Sequence, residues 1–266
     1  LVISNPDYNK LADIKTMKGK AVGGWASSTD NNTFAISNRV TVNAGGKVTT
    51  TSKAPTAGEI YGGRATSTNG KAEASNNIVT IAKGTNADTV AAETGIFGGT
   101  AKAGAGATAD GNQVIINKGN DATAQKMGSV TKPNANMSRI VGGWVEAKSS
   151  SDSSGVFVAR NNLVDIYKLS YIGAASDKGG YIGGGYVKLT NNTKKADTLR
   201  AENNQVILVN STIDNSASTS NFSIFGEHVT TAADGTAVSV NTVSVAGDGS
   251  KVNLSITNST LNNVQV

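Results

Sequence analysis

Apolar residues in this chain come in short runs of three to six, rich in Val and Ile, parted by Gly, Asn, Asp and Ser. No period of 3.6 persists. Alternation with a period of two, broken by turn residues, predicts strands and turns throughout. The runs also repeat. Ala21-Val22-Gly23-Gly24-Trp25-Ala26 returns as Ile60-Tyr61-Gly62-Gly63-Arg64-Ala65, Ile96-Phe97-Gly98-Gly99-Thr100-Ala101, Ile140-Val141-Gly142-Gly143-Trp144-Val145 and Tyr181-Ile182-Gly183-Gly184-Gly185-Tyr186. A decayed sixth unit reads Ile224-Phe225-Gly226-Glu227-His228-Val229. A period of about 40 residues belongs to arrays in which each unit buries its apolar face against its neighbours.

A second series runs between the glycine units with the same period. It opens on Asn38, Asn77, Asn112, Asn162, Asn204 and Asn241, each followed by a strand such as Ile78-Val79-Thr80-Ile81. The first, third and fifth places of these units recur, and a spacing of two sets them on one face of a strand. The Asn side chains are therefore expected to point inward. A buried amide is costly unless paired, and stacked amides satisfy one another as a ladder. By the same parity, Val22, Tyr61, Phe97, Val141, Ile182 and Phe225 are expected inside with Ala26, Ala65, Ala101, Val145 and Val229. Trp25, Arg64, Thr100, Trp144, Gly185 and His228 are expected outside, and the paired glycines at a tight corner.

Two apolar stretches per period predict two coils of about 20 residues per repeat, hence about 13 coils and a rod on the order of 60 Å long. Residues 1–20 read as an irregular lead-in or the stump of a preceding coil, and 21–266 as one β-solenoid. Longer spacings later in the chain place protruding loops near 117–138, 144–161 and 187–203, because insertions in loops cost little whereas insertion in a strand inverts its faces. Both ends fall in repeat-like text, Leu1-Val2-Ile3 and Val252-Asn253-Leu254-Ser255-Ile256, which marks an excerpt of a longer protein.

Composition agrees with a narrow interior: 266 residues with Gly 31, Pro 3 and 5% aromatics. The absence of cysteine suits either a reducing cytosol or export of an unfolded chain. No segment has the form of a signal peptide or of an apolar membrane helix. The net charge is +5, carried mostly by Lys scattered among turns, which guards strand edges against aggregation. No basic stripe interleaved with aromatics is evident, so no nucleic-acid partner is expected.

The units Ile60-Tyr61-Gly62-Gly63 and Asn77-Ile78-Val79-Thr80-Ile81 resemble repeats of autotransporter (type V) passenger domains, in particular those of very large fusobacterial outer-membrane adhesins. The resemblance covers about residues 21–257. It implies a right-handed parallel β-helix displayed at the cell surface, tethered to the outer membrane through a C-terminal barrel absent from this sequence. It further implies action in host-cell or interbacterial adhesion, or in biofilm formation. A host or bacterial surface protein or glycan, or a second copy of the chain, would be the partner.

Candidate contact residues are Trp25, Arg64, Trp144, Tyr171, Tyr181, Tyr186 and His228, since aromatic and Arg side chains dominate interfaces. Parallel β-helices also carry glycan-processing enzymes, which need a positioned acid and base. Glu146, Asp152 and Asp165 are thin material for that, so no catalytic residue is assigned. One histidine and no cysteine point to no metal site and no cofactor. Ala246-Gly247-Asp248-Gly249-Ser250 and Asp234-Gly235 read as plain turns. The alternatives to an adhesive rod are a glycan-binding or glycan-processing β-helix and a pure stalk that self-associates.

Overall fold

A computed structural model describes residues 2–3, 16–18, 20–42, 47–49, 59–81, 95–117, 125–127, 138–147, 155–172, 180–189, 195–216, 220–230, 239–246, 254–257, 259–262 and 264–266. It is an all-β, β-helix-like stack of parallel strands. Six glycine units and a short terminal strand form one seven-stranded sheet: Lys20–Ser28, Glu59–Ser67, Gly95–Ala103, Ser138–Ala147, Gly180–Leu189, Phe222–Thr230 and Val264–Gln265. A second sheet of seven holds the asparagine strands, from Val2–Ile3 and Arg39–Val42 through Gln205–Val209 to Leu254–Thr257. A third sheet of six runs from Thr33–Ile36 to Ser239–Ala246. Two smaller sheets hold Gln125–Met127 with three later strands, and Thr16–Lys18 with Lys47–Thr49.

Like pairs with like in register: Gly63 opposes Gly24 and Gly99, and Val79 opposes Val40 and Val114. Each glycine strand bonds directly to the next, with no other strand between them. One repeat thus closes one turn, and the expected two coils per repeat is corrected. Seven stacked strands span on the order of 30 Å, not 60 Å. The stretches taken together as separate coils lie on different sheets of the same turn. Val2–Ile3 pair with the strand of Val42, and Thr16–Lys18 with Lys47–Thr49, so these parts of 1–20 belong to a preceding turn.

The amide ladder is present. Asn77, Asn112, Asn162 and Asn204 are buried and Asn38 is half-buried. Asn38, Asn77, Asn112 and Asn162 each give the backbone N–H and the Nδ2 to the Oδ1 of the next, as Asn77 does to Asn112 at 3.1 and 2.9 Å and Asn112 to Asn162 at 3.0 and 2.9 Å. The second Nδ2 hydrogen goes to a carbonyl of the third sheet, such as Ala74 O from Asn112 at 2.7 Å. The residue before each ladder position, Ser37, Asn76, Gly111, Asn161 or Asn203, is left-handed, which turns the chain so that the amide faces inward.

Asn241 was expected in the same row, but it stands on a strand of another sheet. Its strand pairs with Lys195–Glu202 in the third sheet. The next place is taken by Glu227, whose Oε1 accepts the N–H of Asn204 at 3.2 Å. The ladder also explains the second glycine. A Cβ on Gly143 would lie 2.3 Å from Asn162 Nδ2, and Gly63 and Gly99 face Asn77 and Asn112 in the same way. The first glycine has a different neighbour. A Cβ on Gly62 would meet the carbonyl oxygen of Gly98 at 2.3 Å.

Of the row expected inside before the glycines, Ile182 is in the core, whereas Tyr61, Phe97 and Val141 are buried in a separate cluster on the outer side of the sheet, with Val22 packed against it. Ala21, Ile60, Ile96, Ile140, Ile182 and Ile224 fill one core column with the asparagine strands. Ala65, Ala101, Val145 and Val187 fill a second with the third sheet. Ile60 and Ala65 are both inside at an odd separation, so the strand changes face across the glycine pair. The true match to Val22, Tyr61, Phe97, Val141 and Phe225 is Gly183, not Ile182, and the pair in that unit is Gly184-Gly185. These residues, and Tyr186 in the place assigned to Gly185, lie on the outer side.

Of the ranges read as protruding loops, 144–147 and 155–161 lie in or beside strands, as do 187–189 and 195–203. Gln125–Met127 of the 117–138 range pairs with Leu169–Ile172. The remaining loop residues lie outside the described residues.

Candidate functional site

The outer face of the glycine sheet is built from three columns, each contributed by one place in the repeat. The first holds Lys20, Glu59, Gly95, Arg139 and Tyr181. The second holds Val22, Tyr61, Phe97, Val141, Gly183 and Phe225. The third holds Trp25, Arg64, Thr100, Trp144, Tyr186 and His228. Neighbouring strands lie about 4.8 Å apart, which is the distance at which aromatic rings pack.

The rings form a continuous strip along the stacking direction. Tyr61 and Phe97 stack at 4.9 Å with planes 12° apart. Trp144 meets Phe97 edge-on at 5.7 Å and 78°, and Tyr186 at 4.8 Å. Tyr186 and His228 stack at 5.3 Å, and Phe225 packs on both Tyr181 and His228. Guanidinium groups extend the strip. Arg64 lies over Trp25 at 5.3 Å and Tyr61 at 5.4 Å, and Arg139 over Phe97 at 5.4 Å and Trp144 at 5.5 Å. Trp25 is 65% exposed, an unusual position for a ring of that size.

Small residues at the middle of the strip open a cleft. Thr100 stands between Arg64 and Trp144, and Gly95 between Glu59 and Arg139, leaving a trough of about 120 Å³ above Phe97. Arg139 crosses the gap at Gly95 to bond Glu59, Nη2 to Oε1 at 3.1 Å, and Lys20 reaches the other Glu59 oxygen at 2.9 Å. Tyr61 donates to the same carboxylate at 2.7 Å. Lys102 and Glu146 pair at 2.6 Å on the rim. Arg64 pairs with no carboxylate among the described residues. Burial, reinforced by the negative charge of Glu59, holds the Tyr61 phenol far above its ordinary value. Burial likewise raises Tyr181 and Tyr186 and lowers His228, so the tyrosines stay neutral donors and the imidazole favours its neutral form.

Comparison with protein-family models, with curated proteins and with solved structures finds no match to this chain. What can be said of the site therefore comes from its residues. Of the seven candidates, Trp25, Arg64, Trp144, Tyr186 and His228 share one column and Tyr181 stands in another column of the same face. Tyr171 lies apart, on Leu169–Ile172 in a different sheet. Glu146 sits on the rim of the cleft and Asp165 on the asparagine sheet, so they do not form a pair, while Asp152 lies outside the described residues. Among the described residues no three His, Cys, Asp or Glu gather to hold a metal ion.

Sequence parity missed Tyr61, Phe97 and Phe225, which it put in the core, and Arg139, which it did not single out. A signal for Arg139 was present. Lys20, Glu59 and Arg139 occupy corresponding places in their units, and alternating charge at one place of a stacked repeat is a ladder of ion pairs.

Proposed function

We propose that the chain is a non-enzymatic segment of a bacterial surface adhesin of the autotransporter type, a right-handed β-helical rod that holds an adhesive face at a distance from the outer membrane. The observation that carries this is the aromatic and cationic strip on the glycine sheet. Large rings with Arg beside them are the side chains that dominate binding energy at interfaces, and here exposed Trp25 and His228 flank half-buried Trp144, Tyr181 and Tyr186 along one strip. A rod needs only its interior repeat to stand. Rings as exposed as Trp25 add little to that interior, so their retention on the outside supports a partner, either a surface protein or a glycan. The resemblance of the glycine and asparagine units to passenger repeats supplies the setting: export, a C-terminal barrel and display outside the cell.

The test is binding of the purified chain to bacterial and epithelial cells, set beside the triple variant Trp25→Ala/Trp144→Ala/Tyr186→Ala. Loss of cell binding with an unchanged β-sheet circular dichroism spectrum supports the adhesive face. Undiminished binding places the contact on another surface of the chain, and no binding by the parent assigns the chain to stalk. The coding sequence downstream should specify a membrane barrel; a complete gene without one removes the autotransporter setting.

A further inference from the structure

We infer that the cleft between Arg64 and Arg139 takes one carboxylated sugar ring of an acidic polysaccharide that lies along the aromatic strip. The inference rests on the adhesive face proposed above and names its ligand. Three cations, Arg64, Lys102 and Arg139, line the cleft against one carboxylate, Glu146. The excess positive charge includes Arg64, whose guanidinium lies over Trp25 and Tyr61 and pairs with no carboxylate among the described residues. A guanidinium held by rings and not by a carboxylate keeps its donors for a planar oxyanion, and carboxylate is the group that matches two of its N–H bonds at once.

The rest of the cleft fits a sugar ring. Phe97 lies across the stack, parallel to Tyr61, and Trp144 is turned 78° from it, so the indole plane runs with the stacking direction. Such a wall offers an apolar face to the C–H side of a pyranose, with room of about 120 Å³ beside it. Glu146 on the rim supplies an acceptor for sugar hydroxyls. Two buried polar atoms in the walls, Arg139 Nε and Thr100 Oγ1, have no protein partner, and an oxygen-rich ligand would offset that deficit. The strip repeats at the strand spacing, about 4.8 Å, so its rings line the path of an extended polymer laid along the stack.

Both tryptophans of the chain lie on this face, so intrinsic fluorescence reads the site. The intact chain is titrated with polygalacturonate, with its fully methyl-esterified form and with single-stranded oligodeoxythymidylate. The expected result is a saturable change with polygalacturonate and at least tenfold weaker binding of the ester. Arg64→Gln should weaken polygalacturonate binding at least tenfold and Arg64→Lys less. Lys71→Gln, just before the third-sheet strand Ala72–Ser75, should leave it unchanged. Thr100→Leu, which fills the cleft without altering charge, should also weaken it, and this keeps the test open if Arg64→Gln fails to fold. Equal binding of acid and ester, equal loss in Lys71→Gln, tighter binding of the oligonucleotide, or no response to any polymer would each overturn the assignment. Cell binding that needs Trp144 while polygalacturonate is ignored removes this ligand and leaves the adhesive face; polygalacturonate binding without cell binding does the reverse.

Discussion

At the scale of single residues, the asparagines carry more than their size indicates. Asn112 uses both hydrogens of Nδ2 and accepts two bonds on Oδ1, all in the interior. Asn112→Ala would leave donors of Asn77 and the carbonyl of Ala74 without partners, at a cost of about 2–5 kcal/mol by the price of unmet buried groups. The midpoint of chemical denaturation should fall accordingly, whereas Lys71→Ala, on an exposed position, should not move it. Gly143→Ala is expected to be as harmful, because its methyl would lie 2.3 Å from the Asn162 amide in a packed interior. His228 gives a pH signature. Its folded pKa is below the ordinary value of about 6.5 because Tyr186 and Phe225 displace water from it. The unfolded chain therefore binds the proton first on acidification. The stability linked to this site is complete above about pH 6.5 and declines as pH falls toward the lowered folded value. Melting temperatures of the parent and His228→Gln, compared from pH 8 to pH 5, should show a smaller acid decline in the variant.

At the scale of the strand, the outer strip mixes binding and packing, and substitutions should separate them. Phe97 is 2% exposed beneath the cleft and Trp25 is 65% exposed. Phe97→Ala should destabilise by about 3–5 kcal/mol, the usual cost of deleting a buried ring, while Trp25→Ala should change the unfolding midpoint little. The same strand shows where sequence suffices and where it stops. The inward asparagines and the Val and Ile of their strands are legible because regular alternation survives from Arg39 to Val209. Across Gly62-Gly63 it does not survive. The change of face there follows from contact with the next turn, where the Gly98 carbonyl occupies the space of a side chain. Nothing local to Tyr61 reveals a neighbour 36 places on, so Tyr61, Phe97 and Phe225 were misplaced while Trp25, Arg64 and Trp144 were not. Asn241 failed for a related reason. Its strand has the local text of an asparagine unit, and only pairing with Lys195–Glu202 assigns it to another sheet.

At the scale of the whole molecule, one repeat per turn makes length adjustable in whole units. Deleting residues 64–99 joins Gly63 to Thr100, preserves the order of every column and passes the ladder from Asn38 to Asn112. The shortened chain should fold with a parallel-sheet dichroism spectrum, lose about 4.8 Å of stack, and unfold at lower denaturant with a smaller m-value, since stability in arrays is close to a sum over neighbours. Deletion of a segment out of step with the repeat should give no cooperative transition. The ladder adds a direction to this modularity. Each ladder residue gives its backbone N–H and one amide hydrogen toward the later turn and the other amide hydrogen back to an Ala carbonyl of the turn before, and the final N–H, from Asn204, ends on the Glu227 carboxylate. The backbone N–H to Oδ1 bonds of the column all run one way, so two segments of this kind join their ladders head to tail and not head to head, and a foreign turn grafted after Asn204 must present an oxygen at that point.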